Sequence, residues 1–89
     1  MGKLNLLSAN VRGLNTDEKR RKIYSWLHES KIDIAFLQET HFIQKFETKY
    51  NTGWKGQPFH TYSDSVFSKG VSIYFRENVM LKFSMLKGQ

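Results

Sequence analysis

The chain has 89 residues, 14 Lys and Arg against 8 Asp and Glu, and a formal charge of +6. That length suits one small domain with a thin core, and 39% apolar content is too much for a disordered tail. No cysteine is present, which excludes disulfide and thiolate–zinc frameworks and favours an intracellular setting. No apolar run approaches the ~20 residues needed to span a bilayer. Met1-Gly2 opens like a myristoylation signal, but Leu6 stands where that signal wants Ser or Thr. The positive balance suits a polyanionic partner.

Lys3 to Asn10 carries Leu4, Leu6, Leu7 and Ala9, apolar on both faces like a strand covered on both sides. Val11 to Asn15 reads as a turn, with Gly13 free to take a positive φ. Asn15 with Glu18 three residues on fits an N-cap and capping box, and Asp17 and Glu18 suit the positive end of a helix. The predicted helix runs to Glu29 or Ser30 with Ile23, Trp26 and Leu27 as its apolar stripe. Lys19-Arg20-Arg21-Lys22 then falls on its solvated face, with attraction to a phosphate backbone as the alternative.

Ile32 to Leu37 predicts a second buried strand. Phe42 to Tyr50 predicts a short helix, with Phe42 or Ile43, Phe46 and Tyr50 on one side. Trp54 to Ser68 reads as loop with a short strand over 59–63, Trp54 anchoring the loop or stacking on bases. Gly70 to Phe75 alternates as a strand, Arg76-Glu77-Asn78 marks a turn, and Met80 to Leu86 predicts a last strand. His28 is expected to be exposed on the helix and His60 to lie on an edge strand. The three histidines show no metal-ligand spacing. The order β-α-β-(α)-β-β-β changes from a parallel crossover to hairpins, and a final strand without a neighbour makes the chain look unfinished.

A strand–helix–strand crossover sets its two strands parallel and brings their C-terminal ends to one sheet edge, where α/β folds bind ligands. Here those ends carry Asn10 and Glu39. A carboxylate at a rigid strand end is a solvated surface group, or suits magnesium or manganese, which take oxygen ligands, keep several waters and share substrate phosphate. Asn10 adds an uncharged amide to the same place, or serves only to form the turn. Arg12 offers a guanidinium fork to phosphate oxygens, or is a solvated turn residue. His41 is close enough to Glu39 to approach the site.

Leu6-Leu7-Ser8-Ala9-Asn10-Val11-Arg12-Gly13-Leu14-Asn15, then Lys19-Arg20 with Ile23 and Trp26-Leu27, then Asp33-Ile34-Ala35-Phe36-Leu37-Gln38-Glu39-Thr40-His41 form a recognisable start. With Lys69-Gly70-Val71-Ser72-Ile73-Tyr74-Phe75, it resembles the endonuclease/exonuclease/phosphatase superfamily. Within it, the similarity is to the apurinic/apyrimidinic-like endonuclease domain of non-LTR (LINE-type) retrotransposons. The resemblance implies an α/β fold of the two-sheet, four-layer sandwich type, of which residues 1–89 are the N-terminal part. It implies a metal-dependent phosphodiesterase acting on DNA, with Glu39 as ligand of Mg2+ or Mn2+ and Asn10 beside it as metal-site and catalytic residue. Arg12 and His41 are then nucleic-acid contacts. His41 belongs to the Glu39 tag and is not matched to the family's catalytic histidine.

The family's later motifs (a tyrosine, an Asp-x-Asn pair, a further aspartate and a terminal Asp-His pair) have no match in the chain. The expectation is therefore a piece without nuclease activity of its own. Its partners would be the rest of its domain, a reverse transcriptase in the parent polyprotein, and chromosomal DNA in the nucleus. The rival readings are a non-catalytic basic nucleic-acid-binding module, a decayed retroelement remnant, and the phosphatase or deadenylase branch of the same fold.

Overall fold

A computed structural model describes residues 3–62 and 69–79. The elements in chain order are β1 (Leu6–Asn10), α1 (Asp17–Glu29), β2 (Ile34–Gln38), a 3-10 turn (Gln44–Phe46) running into α2 (Glu47–Asn51), β3 (Gly56–His60) and β4 (Val71–Arg76). They build a mixed four-stranded sheet in the order β1-β2-β4-β3. β1 and β2 are parallel through the α1 crossover, and β4 runs antiparallel to both of its neighbours. The α/β class and the opening β-α-β unit are those the sequence predicts.

The helix is rotated from its expected setting. Its buried residues are Arg20, Tyr24 and Leu27, while Ile23 is only partly buried and Trp26 is 50% exposed. Tyr24 takes the central place because its hydroxyl donates to Tyr50 O at 2.6 Å and accepts from the Tyr74 hydroxyl at 2.7 Å. Burial pushes the Tyr24 hydroxyl up to about 12 and keeps it protonated, against weaker opposing pulls from the Tyr74 hydrogen bond and the Arg20 charge. Arg20 is drawn in with it, its guanidinium donating to Leu14 O and Asn15 O at 2.9 Å each and to Asp17. The basic run is thus not a uniformly solvated face. The N-cap is Thr16, whose hydroxyl accepts from Lys19 N, and not Asn15.

Tyr24 and Leu27 meet Ala35, Leu37, Tyr74 and Trp54 in one core on the helix side of the sheet. Trp54 is the expected loop anchor: it is buried, and its Nε1 donates to Phe75 O at 3.2 Å. His28 is not simply exposed, for its ring stacks on Trp54 with centroids 4.3 Å apart. Phe42 stacks on Tyr50 at 3.8 Å, and both are buried, whereas Phe46 stays 41% exposed.

β3 begins three residues before the predicted strand, and its Pro58 sits within it. It tolerates proline because it is the edge strand, where one face of the backbone needs no ladder partner. His60 closes this edge strand, as expected. The predicted strand over Met80 to Leu86 and the tail of the 59–63 prediction lie outside the described residues.

The expectation of a strand covered on both sides is not met by the described residues. On the face away from α1, Leu6 (60%), Phe59 (56%), Val71 (46%) and Phe36 (38%) stand exposed. The register sets Phe36 beside Ile73 and Ile73 beside Phe59 in one row across three strands.

Candidate functional site

The parallel ladder between β1 and β2 does not stop at the strand ends. Val11 N donates to Gln38 O at 3.0 Å, Gly13 N to Glu39 O at 2.6 Å and Leu14 N to Thr40 O at 3.0 Å. The two polar tags are thereby zipped side by side. On the far side of the second tag, Thr40 N donates to Gly70 O at 3.1 Å, tying it to the start of β4.

This pairing brings Asn10 and Glu39 into contact. Asn10 Nδ2 donates to Glu39 Oε2 at 2.5 Å, and Asn10 Oδ1 accepts from Arg12 N at 3.0 Å. The amide is therefore held at both ends, one end closing its own turn and the other orienting the carboxylate. The hydrogen bond from Asn10 holds the Glu39 carboxyl below the usual carboxylate range. Slight desolvation opposes it, and the charges of Lys69, His41 and Arg12 add to it. Glu39 is ionised at neutral pH and partly open to solvent.

Backbone strain gathers at the same edge. Arg12, Glu39 and His41 have φ values of 52°, 58° and 61°, three of the five non-glycine residues in the left-handed region among those described. Such conformations cost roughly 1–3 kcal/mol each and persist where surrounding bonds over-determine them. The bonds here are visible. Lys19 Nζ donates to Val11 O at 2.5 Å, Asn15 Nδ2 donates to His41 O at 2.7 Å, and Tyr50 OH donates to Asn15 Oδ1 at 2.7 Å. Gly13, at φ 93°, completes the turn without a Cβ.

Arg12 projects at the exposed surface of this edge. His41 Nε2 lies 3.9 Å from Glu39 Oε1, so the ring borders the carboxylate. Behind the edge, Thr40 is fully buried and touches Ser72 Oγ at 3.5 Å, which meets His60 Nδ1 at 2.6 Å. His60 Nε2 meets Asn51 Oδ1 at 2.8 Å. A neutral ring satisfies both contacts by donating from Nε2 and accepting at Nδ1. Burial pushes the imidazole down to about 4, against a weaker opposing pull from Glu47.

The donor at the edge is the Glu39 carboxylate, a hard oxygen group, with the Asn10 N–H turned to it and the Asn10 carbonyl turned to Arg12 N. A cation such as magnesium, which keeps water and borrows phosphate oxygens, fits so sparse a set. Among the described residues no three His, Cys, Asp or Glu side chains converge to form a closed cage. Glu39 would hold the ion, with Asn10 next to it.

Sequence reasoning did not pick out Asn15, Lys19 or Lys69 as parts of this edge. The local pattern points Asn15 to the cap and Lys19 to the helix surface, because a linear pattern carries no sign of which distant carbonyl a side chain will meet.

The Endonuclease/Exonuclease/phosphatase family model matches residues 7–85. The chain belongs to this family. Both tags, the α1 crossover and all of the four strands but Leu6 fall within that match, so the family resemblance carried by the tags holds. The chain is also 25% identical, over 89 residues, to the "Transposon TX1 uncharacterized 149 kDa protein" of Xenopus laevis. That alignment takes in 97% of this chain and 7% of the Xenopus protein, so the chain spans a small part of the curated relative it matches.

Proposed function

We propose that this chain is the N-terminal part of a magnesium-dependent DNA endonuclease domain of the target-nicking, retrotransposon type. The observation that carries the reading is the Asn10–Glu39 contact at the shared end of two parallel strands. Family membership and the likeness to a transposon protein support it, as does the +6 charge. Magnesium at such a site would polarise a phosphoryl oxygen and lower the pKa of bound water. Glu39 presents the carboxylate, Asn10 fixes its orientation, and Arg12 and His41 contact the nucleic acid. The reaction is hydrolysis of a phosphodiester, leaving a 5′-phosphate and a 3′-hydroxyl.

The open apolar sheet face supports reading residues 1–89 as one layer of a larger sandwich. The remainder of the domain would cover that face and add the acid–base groups, each worth ~10²–10⁴ in rate. The 89 residues alone are then without measurable nicking. The parent would carry a reverse transcriptase and act on chromosomal DNA in the nucleus.

Binding of a labelled DNA duplex, followed by anisotropy with and without magnesium, tests the reading. Magnesium should strengthen binding about tenfold, and Glu39→Gln should erase that gain, as loss of a metal ligand does. A basic binding module instead predicts indifference to magnesium and to Glu39→Gln, with steep salt dependence alone. That outcome would overturn the nuclease reading.

A further inference from the structure

Three neighbouring strands build the edge that carries Asn10 and Glu39. β4 runs antiparallel to β2, so its start, rather than its end, reaches this edge. Gln38 pairs with Val71, and the bond from Thr40 N to Gly70 O at 3.1 Å, one position out of that register, ties the residue before β4 to the second polar tag. Lys69, the residue before Gly70, is thereby held beside the Glu39–His41 tag.

β2 lies between β1 and β4. Arg12, which follows β1, and Lys69, which precedes β4, therefore flank Glu39 from its two sides. Their backbones stand about two strand spacings apart, roughly 10 Å. Lys69 is exposed, and among the described residues no carboxylate lies within ion-pair distance of it. A lone carboxylate repels a phosphodiester. Two cations set astride it, both free to meet an outside anion, reverse that repulsion.

We infer that Lys69 is a nucleic-acid backbone contact, gripping a phosphate on the side of Glu39 opposite to Arg12. The inference rests on the proposed reading of this edge as a DNA site. It adds a contact that comes from β4 and not from either polar tag. In this arrangement the two cations grip one strand from either side of Glu39.

The test is duplex DNA binding by the 89-residue chain in EDTA, across a series of salt concentrations. Lys69→Gln should weaken binding about three- to tenfold whatever the DNA sequence. It should also make the slope of log K against log salt shallower by about 0.9, the signature of one lost phosphate contact. Lys69→Arg should restore both. Arg12→Gln combined with Lys69→Gln should reduce the slope by about twice that amount. An unchanged slope in Lys69→Gln, a loss that Lys69→Arg does not restore, or a wild-type chain that does not bind DNA would each overturn the inference. Because magnesium is absent, failure of the Glu39 test would leave this result standing, and the two readings fail separately.

Discussion

The Asn10 side-chain amide donates to Glu39 Oε2 at 2.5 Å, although 29 residues separate the two in the chain. Neither residue is oriented by its own strand alone. Asn10 is steadied by the Arg12 amide hydrogen, and Glu39 sits in a left-handed backbone conformation that its bonded neighbours enforce. The pair is a single electrostatic unit, an ionised carboxylate aimed by an amide that adds no charge.

Removing the amide should therefore be read out at the carboxylate. In Asn10→Ala the Glu39 carboxyl pKa should rise toward its ordinary value, because the largest cause of its lowering is gone. Any metal-assisted phosphate binding should then fail at higher pH than in the wild type, since protonated Glu39 no longer offers an anion. Carboxyl carbon shifts of Glu39 across a pH titration measure this directly. An unmoved midpoint would show that the amide does not control the group.

His60 makes folding sensitive to acid. Its folded-state pKa of about 4 lies below the 6.5 of an unfolded histidine, so the unfolded chain takes up a proton first as pH falls. Stability is then full above pH 6.5 and declines between 6.5 and about 4. The ring is not wholly buried, and with solvent screening the loss should be on the order of 1–2 kcal/mol. Urea melts at pH 7 and pH 4.5 should differ more for the wild type than for His60→Gln. Equal differences would rule out the histidine as the source.

Arg20 should matter to stability more than any other residue of its basic run. Arg20→Met keeps the aliphatic stem but leaves Leu14 O and Asn15 O short of a donor, a cost of about 2–4 kcal/mol. Arg21→Met, one residue on and exposed, should stay within about 0.5 kcal/mol. Chemical denaturation of the two variants checks the contrast, and similar midpoints would contradict it.

Gly56 opens β3 at φ 136°, where a Cβ would stand 2.0 Å from Phe75 O and 2.8 Å from Glu77 N. Both obstacles are backbone, so no side chain can move aside to make room. Gly56→Ala should destabilise the chain by about 2–4 kcal/mol, combining the unfavourable φ with displacement of β4. By contrast, Gly13→Ala meets nothing within 4 Å and incurs only the cost of its φ of 93°. Thermal melts that rank Gly13→Ala below Gly56→Ala would contradict the packing argument.

The crossover and its polar ends were legible in the sequence because each rests on a local signal. Apolar runs of strand length flank a helix of the right period, and each run ends in a short polar tag. Trp26 shows where such signals fail. Periodicity alone made it core, but the Tyr24–Tyr74 hydroxyl pair turned the helix so that Tyr24 and Arg20 went inside. Asn15 fails for a related reason: its cap signature is real, yet Tyr50 and His41 compete for the same side chain and win.

From the amino-acid order alone came the α/β class, the parallel pairing of the first two strands and the two chain positions that meet at their ends. These follow from hydrophobic period and from the handedness of a crossover, which are properties of short segments. Tertiary structure alone decided which side chains aim the carboxylate, which cation flanks it from β4, and which face of the sheet stays open. Each of those depends on contacts between residues far apart in the chain, and no local pattern encodes a partner tens of residues away.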